Sequence, residues 1–414
     1  MKKIFTLAAV AALVLASCAK IETIDRNVDE PIAFAGYAGN ALTKAGAYGE
    51  ETTTSLQTNG FGVFAYQTTG NYSASATPNF MYNTKVSTSS WTYSPIKYWP
   101  NQIQAGNTDS QPATAFQADK VSFFAYAPHV AATASTGAVT GGTDEGITAL
   151  TTNATEGDPK VTYKVSADLD KQVDLLWAVS KGATWTNVAG TTNTPTSGKP
   201  YLNLQKPAIG TAIHFYFKHA LAQITLKAVA AYNQAAAGGT AQDGVKITIK
   251  QVELSVPGMT QTAVLNLNNT TADTPLWESA SGSADLALTV SGSNINSALL
   301  DGGDVAPASQ PAGVTASEQN VIVDGKYYTV IPKATSTTVN VKVTYYVSTP
   351  DSDLLKGYSR VENVISKDVV FSSGFAAGTK NTIKMILGIS EVKFEAEVED
   401  WADGTSANVN LPLN

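Results

Sequence analysis

Along "VKITIKQVEL" (245–254), Val245, Ile247 and Ile249 alternate with Lys246, Thr248 and Lys250. A period of two is that of a strand with one face buried and the other in water. Short runs of similar character recur along the chain: "FGVFAYQ" (61–67), "VSFFAYAP" (121–128), "DLLWAVS" (174–180), "IHFYFKHALAQITLKAV" (213–229), "KYYTVIP" (326–332), "TTVNVKVTYYV" (337–347) and "VKFEAEVEDW" (392–401). β-branched and aromatic residues dominate these runs, and Gly, Asn, Asp and Pro separate them. Many short strands between turn signals predict an all-β sandwich.

Three stretches break the pattern. Residues 130–160 are rich in Ala, Thr and Gly and read as a long loop. Residues 181–206 mix Thr, Asn, Gly and Pro, and a core-type pattern restarts at Ile213, so a domain boundary is expected there. Residues 268–320 read as loops holding weak strands such as "ADLALTV" (284–290). No repeat of fixed period is present.

The first residues follow a different rule. Lys2 and Lys3 precede an apolar stretch from Ile4 to Leu15, then Ala16, Ser17 and Cys18. The stretch is too short to span a bilayer and has the length of a signal-peptide core. Small residues before a cysteine form a bacterial lipobox, so residues 1–17 are read as a signal and Cys18 as an acylated first residue. The plainer alternative is an ordinary signal with a chance cysteine. Cys18 is the one cysteine among 414 residues, so no disulfide within the chain is possible. Losing residues 1–17 removes two lysines and leaves 25 basic against 34 acidic residues, a formal charge of −9. That balance argues against nucleic acid as a partner. Stability must come from burial, and the length suffices for two domain-sized cores.

Candidate chemistry is sparse. His129 follows a proline, and His214 and His219 are five apart, so on one strand they point to opposite faces and share no ligand. No nucleophile elbow is present, and "TSGKP" lacks the glycine and hydroxyl of a phosphate loop. "DSDLLKG" (351–357) reads as a solvated turn, not a calcium loop, and Glu397 with Glu399 reads as a solvated strand edge. No enzyme, metal or cofactor is expected. In "WTYSPIKYWP" (91–100), exposed rings of Trp91 and Trp99 would stack on sugars, whereas buried rings would simply be core.

The runs also occur in a familiar order. The lipobox, "PIAFAGY" (31–37), "ALTKAG" (41–46), "KYWP" (97–100), "VSFFAYAP", "DLLWA", "FKHALAQITLKA" (217–228), "YTVIPKA" (328–334) and "GTKNTIKMILGISEVKFEAEVEDW" (378–401) cover nearly the whole chain. On these pieces the chain resembles the fimbrillin-like (Mfa-like, FimA-type) proteins of Bacteroidetes, the subunits of type V pili. The resemblance implies two tandem transthyretin-like β-sandwich domains and export as a lipoprotein to the outer membrane, exposed at the surface. It also implies cleavage in a loop after the first strand by a trypsin-like or gingipain-like protease. The groove so opened takes a strand from the next subunit. The organisation expected on this basis is a signal at 1–17, a propeptide with the first strand at 18–44, an N-terminal domain at 45–205 and a C-terminal domain at 206–414.

Each expectation falls on named residues. In "PIAFAGY", Ile32 and Phe34 share a face, as a first strand requires. Arg26 precedes that strand and Lys44 follows it, and only a cut after Lys44 releases it, so Lys44 is the processing candidate and Arg26 the alternative. The lysine departs from the commoner arginine. In "NVNLPLN" (408–414), Val409, Leu411 and Leu413 share a face and Pro412 restricts the segment to an edge position. Donated to a neighbour, this strand would bury three apolar side chains, about 5–8 kcal/mol before ordering costs. The alternative is that it folds back onto its own domain. The expected partners are other fimbrial subunits in a head-to-tail polymer, the outer membrane through the lipid, and the processing protease. Two other readings stand beside this one: a surface glycan-binding lipoprotein using Trp91 and Trp99, and a tip or accessory fimbrillin.

Overall fold

The structure, a computed structural model, describes residues 30–38, 52–100, 119–141, 144–187, 190–207, 210–233, 246–300, 307–309, 318–388 and 392–401. The chain starts with β1 (Phe34–Tyr37), helix α1 (Thr53–Asn59), β2 (Phe61–Thr68), β3 (Met81–Val86) and β4 (Lys120–Ala127). Next come β5 (Gly146–Leu150), β6 (Lys160–Lys164), β7 (Leu176–Val179), β8 (Trp185–Thr186), β9 (Thr192–Asn193), β10 (Tyr201–Leu204) and β11 (Ile213–His219). The rest comprises β12 (Ala222–Asn233), β13 (Lys246–Asn266), β14 (Leu276–Ser291), β15 (Pro307–Ser309), β16 (Gln319–Asn320), β17 (Tyr328–Val330), β18 (Thr337–Pro350), β19 (Tyr358–Phe371), β20 (Thr379–Leu387) and β21 (Val392–Asp400). The all-β class read from the alternating runs is the class observed.

The first sheet has the order β1-β11-β7-β4-β2-β3, with β10 added to β4. Its central strands β2, β4 and β7 are buried on both faces. Phe61, Val63 and Ala65 of β2 and Phe123 and Ala125 of β4 pack into one cluster, while Phe64, Tyr66, Phe124 and Tyr126 pack into another. Leu176 and Trp177 of β7 divide in the same way. Double burial is why "FGVFAYQ" and "VSFFAYAP" are nearly continuous apolar runs, whereas β11, with one covered face, alternates. Helix α1 closes one side of the sheet. Thr52 and Ser55 cap its start reciprocally, the Ser55 amide donating to Thr52 Oγ1 at 3.1 Å.

The second sheet runs β19-β18-β13-β6-β5, with β14 on β13. Strand β13 acts as a splint: Lys246–Ser255 pair with β18, Thr262–Asn266 pair with β6, and β14 lines its other edge. A register shift lies between Ile249 and Gln251. It changes the phase of the alternation, so that Ile247, Ile249, Val252 and Leu254 all face the core; Val245 lies outside the described residues. The third sheet has the order β15-β12-β20-β21, with β16 and β17 on β12. Its inner face carries Leu226, Met385 and Phe394 in the larger cluster. Its outer face is charged: Lys384 meets Glu318 at 2.8 Å and Glu395 at 3.2 Å, and Lys380 meets Glu399 at 3.5 Å.

Three expectations meet a different outcome or a sharper one. Residues 130–160 are not simply loop, because β5 lies within them and the amide of Leu150 donates to Gly137 O at 2.8 Å. A Cβ on Gly137 would lie 1.9 Å from Leu150 O, so small residues here mark close chain approach. Within 268–320, the weak strand is the 16-residue β14, held along its length by β13. Strand pairing also crosses residue 205 in both directions. β5 and β6 precede it and join β13, while β11 follows it and joins β7 and β1.

Candidate functional site

The site begins with the alternation of "PIAFAGY". Strand β1 forms the edge of the first sheet and runs parallel to β11, with Phe34–Tyr37 opposite Ile213–Tyr216. The Ile213 amide donates to Ala33 O at 2.8 Å. On its other side the chain just before β1 is held by residues 97–99: the Ile32 amide donates to Lys97 O at 2.8 Å, and the Trp99 amide donates to Glu30 O at 2.9 Å. Tyr93 clamps the same point, its hydroxyl donating to Ile32 O at 2.7 Å. Burial pushes the Tyr93 phenol above its ordinary value, so it remains a donor.

Side chains of this strand complete an apolar slot. Ile32 is 1% exposed and Phe34 is 5% exposed. The Phe34 ring lies 5.2 Å from Tyr93, 6.0 Å from Phe123 and 5.9 Å from Phe215. Gly36 takes the next inward position, where a Cβ would stand 3.1 Å from Phe61 and 3.3 Å from Trp91. Outward-facing Tyr37 is exposed and shares Lys181 with Tyr216, whose ring centroid is 4.3 Å from the Lys181 Nζ. Burying Ile32 and Phe34 contributes about 1.5–3 kcal/mol each. Nearby, burial raises the Glu30 carboxyl above its usual range, and Lys206 opposes the shift.

Of the residues singled out from the sequence, Ile32 and Phe34 are brought together in this slot. Cys18, Arg26, Lys44, Val409, Leu411 and Leu413 lie outside the described residues. Trp91 is half-buried against Phe61, with ring centroids 5.6 Å apart. Trp99 is 3% exposed, wedged 5.7 Å from Phe123 and 5.5 Å from Trp185. The sugar-stacking reading therefore loses Trp99, because its faces are covered by protein. Glu399 is engaged with Lys380, and the tip of "DSDLLKG" is a turn in which the Asp353 amide donates to Asp351 Oδ1 at 3.0 Å.

Two features were not legible as a site. The parallel pairing of β1 with β11 joins segments about 180 residues apart, and alternation carries no information about a partner. The second is a stack beside the end of β11. The His219 ring lies 4.0 Å from Trp401 at an interplanar angle of 7°, and His219 Nδ1 is 2.9 Å from buried Asp174 Oδ1. The Trp401 amide donates to Gly378 O at 2.8 Å. "FKHALAQ" and "VEDW" thus touch, and the point where the chain leaves β21 is fixed against the strand that holds β1.

These features define a β-sandwich protein in which a short edge strand fills an aromatic slot. The comparisons with known proteins agree with that class. The fimbrillin-like family model matches residues 43–401. "Fimbrium subunit Fim1C" of Phocaeicola vulgatus (strain ATCC 8482) is 27% identical over 426 residues, which cover 97% of each chain. The crystal structure of a fimbrial protein from Bacteroides vulgatus ATCC 8482 superposes with a TM-score of 0.61 at 23% identity, covering 90% of this chain and all of that one. The chain belongs to the fimbrillin-like family.

Proposed function

We propose that this chain is a structural subunit of a cell-surface fimbrium that assembles with other fimbrial subunits by exchanging strands in the β1 slot. It is exported as a lipoprotein through Cys18 to the outer membrane, and it functions in adhesion. The observation that carries the reading is β1 with the residues that lead into it: a short edge segment with Ile32 and Phe34 deeply buried, followed ten residues after Phe34 by Lys44. A filament shaft needs a contact that is strong, directional and closed until export. An edge strand that can be cut loose meets all three needs.

The physical sequence is as follows. While the chain is intact, β1 competes for its slot at the high effective concentration of a tethered segment. A cut after Lys44 removes that advantage and leaves a short peptide held only by its own contacts. Once the peptide dissociates, β11 offers unpaired backbone groups at Ile213–Tyr216 beside a floor of Phe123 and Phe215. A neighbour's Val409, Leu411 and Leu413 then supply backbone bonds for affinity and alternate side chains for register. The lipid anchor on Cys18 departs with the propeptide. The folding of residues 45–205 and 206–414 as tandem transthyretin-like domains belongs to this same reading, with β5 and β6 of the first segment joining the sheet built on β13 of the second.

N-terminal sequencing of filaments sheared from cells tests the processing step. Subunits that begin at Ala45 are expected. Subunits that all begin at Cys18 would overturn it. A chain ending at Gly404 is expected to reach the surface without forming filaments, and filaments built from it would remove the donor strand from the account.

A further inference from the structure

A cavity of about 270 Å³ lies against one end of the third sheet and shares no residue with the β1 slot. The register of that sheet builds its floor. Gln223 of β12 pairs with Lys380 of β20, and Lys380 pairs with Glu399 of β21. Alternation turns these three, with Thr225, away from Ile224 and Leu226, which enter the core. The connection from β16 to β17 forms the opposite wall, with exposed Asp324 at the rim. That wall is held in place. The Val321 amide donates to Leu226 O at 2.9 Å, the Val323 amide to Asn294 O at 3.0 Å, and Lys326 Nζ to Asn294 Oδ1 at 2.9 Å. The cavity is thus largely preformed, and its volume is near the low end of small-molecule sites.

Its lining is short of hydrogen-bond partners. Trp401 is 6% exposed, and its indole N–H is buried without a partner. Gln223 and Thr225 are 5% and 8% exposed, yet among the described residues no side-chain hydrogen bond holds either one. Asn381 reaches only the main-chain carbonyl of Gln223, at 3.1 Å. A buried polar group left unpaired costs about 1–3 kcal/mol, so three around one cavity point to a ligand that pairs them.

The same lining selects the ligand's chemistry. Trp401 is stacked on His219 and packed against Tyr327, so no bare ring is offered to an aromatic ligand. Lys380 is paired with Glu399 at 3.5 Å and Lys326 is paired with Asp170, so neither ammonium is left for an anion. Asp324 and Asp400 add further acceptors. Donors and acceptors in one small space, with the positive charge already neutralised, suit a ligand made of uncharged hydroxyl groups.

We propose that this cavity binds one neutral sugar ring, as at the end of a glycan chain, through hydrogen bonds to Gln223, Thr225 and the carboxylates around them. The site stands on the cavity and not on the strand-exchange reading, and it uses neither Trp91 nor Trp99. In a polymer, one weak site per subunit would be multiplied by avidity.

Saturation-transfer NMR and calorimetry on the full chain with Cys18→Ser test the site, with the methyl glycosides of glucose, galactose, mannose and N-acetylglucosamine as probes. At least one glycoside is expected to bind with a Kd of about 1–10 mM. Gln223→Leu and Thr225→Val keep the shape of side chains that bond nothing in the protein. The denaturant midpoint is therefore expected to hold while affinity falls about tenfold or more. Asp324→Asn, at the exposed rim, is expected to weaken the same glycoside with the fold intact, and Trp91→Phe is expected to leave its affinity unchanged. No binding of any probe at about 50 mM, well above that range, would overturn the site. So would binding that survives all three cavity variants or that Trp91→Phe abolishes. Tighter binding of sialic acid than of every neutral glycoside would overturn the ligand class.

Discussion

Phe34→Ala is the sharpest probe of whether β1 is a separable piece. The substitution removes a ring that is almost fully buried and packed against Tyr93, Phe123 and Phe215. Phe→Ala in a core costs about 3–5 kcal/mol. If that loss falls on the seating of β1, the equilibrium for local detachment rises by about 10²- to 10³·⁵-fold, at 1.4 kcal/mol per tenfold. Three amides report the event directly: Ile32, bonded to Lys97 O; Trp99, bonded to Glu30 O; and Ile213, bonded to Ala33 O. Native-state hydrogen exchange reads each of them, because local opening and global unfolding separate in that experiment. The expected result is a rise of that size at these three amides, with Leu254 and Val343 in the β13–β18 ladder unchanged. Equal acceleration at Leu254 and Val343 would refute the reasoning, since β1 would then be inseparable from the global fold. So would unchanged exchange at Ile213.

Other outcomes follow from the same geometry. Gly36→Val places methyls where Phe61, Trp91 and Phe217 already stand within 3.4 Å of an added Cβ. It should weaken β1 seating by about 1–3 kcal/mol, seen as faster exchange of the Ile213 amide. Burial raises the Glu30 carboxyl, so its contribution is fully present below the unfolded-state value and is lost as pH rises through the folded one. Protection of the Trp99 amide, corrected for intrinsic exchange, should therefore fall across that window, and Glu30→Gln should abolish the dependence. Trp99→Ala should cost about 3–5 kcal/mol in denaturant unfolding while leaving migration in polysaccharide-containing gels unaltered. Retardation that Trp99→Ala abolishes would favour the glycan-binding reading.

How much of this was legible in the sequence depended on which faces were buried. Strand β13 declared itself by alternation because one face is wet, and even its phase change after Ile249 is visible as Lys250-Gln251 before Val252. The first-sheet strands were found as apolar runs, but double burial erased the alternation that would have said which residue faced which cluster. Strand β14 looked weak because Ser, Ala and Gly fill its first half; its length comes from β13, a partner that propensity cannot name. The turn around Gly137 looked like loop because small residues serve close approach and disorder alike. At the site, the sequence pattern put Ile32 and Phe34 on one face; both are buried, with Phe34 in β1 and Ile32 in the chain just before it. Their partners Ile213 and Lys97 are set by tertiary pairing, and the Tyr93 clamp appears only when residues 91–99 fold across it. The aromatic cluster at 91–100 carried both outcomes in its composition, and burial decided Trp99.

The central claim is that the slot filled by β1 is where subunits join. A photoreactive phenylalanine analogue at position 411, in filaments assembled from mixed isotope-labelled and unlabelled chains, tests it most directly. The account predicts cross-links between chains from position 411 to Tyr93, Phe123 or Phe215. Cross-links confined to the same chain, or between chains but outside that slot, would contradict it.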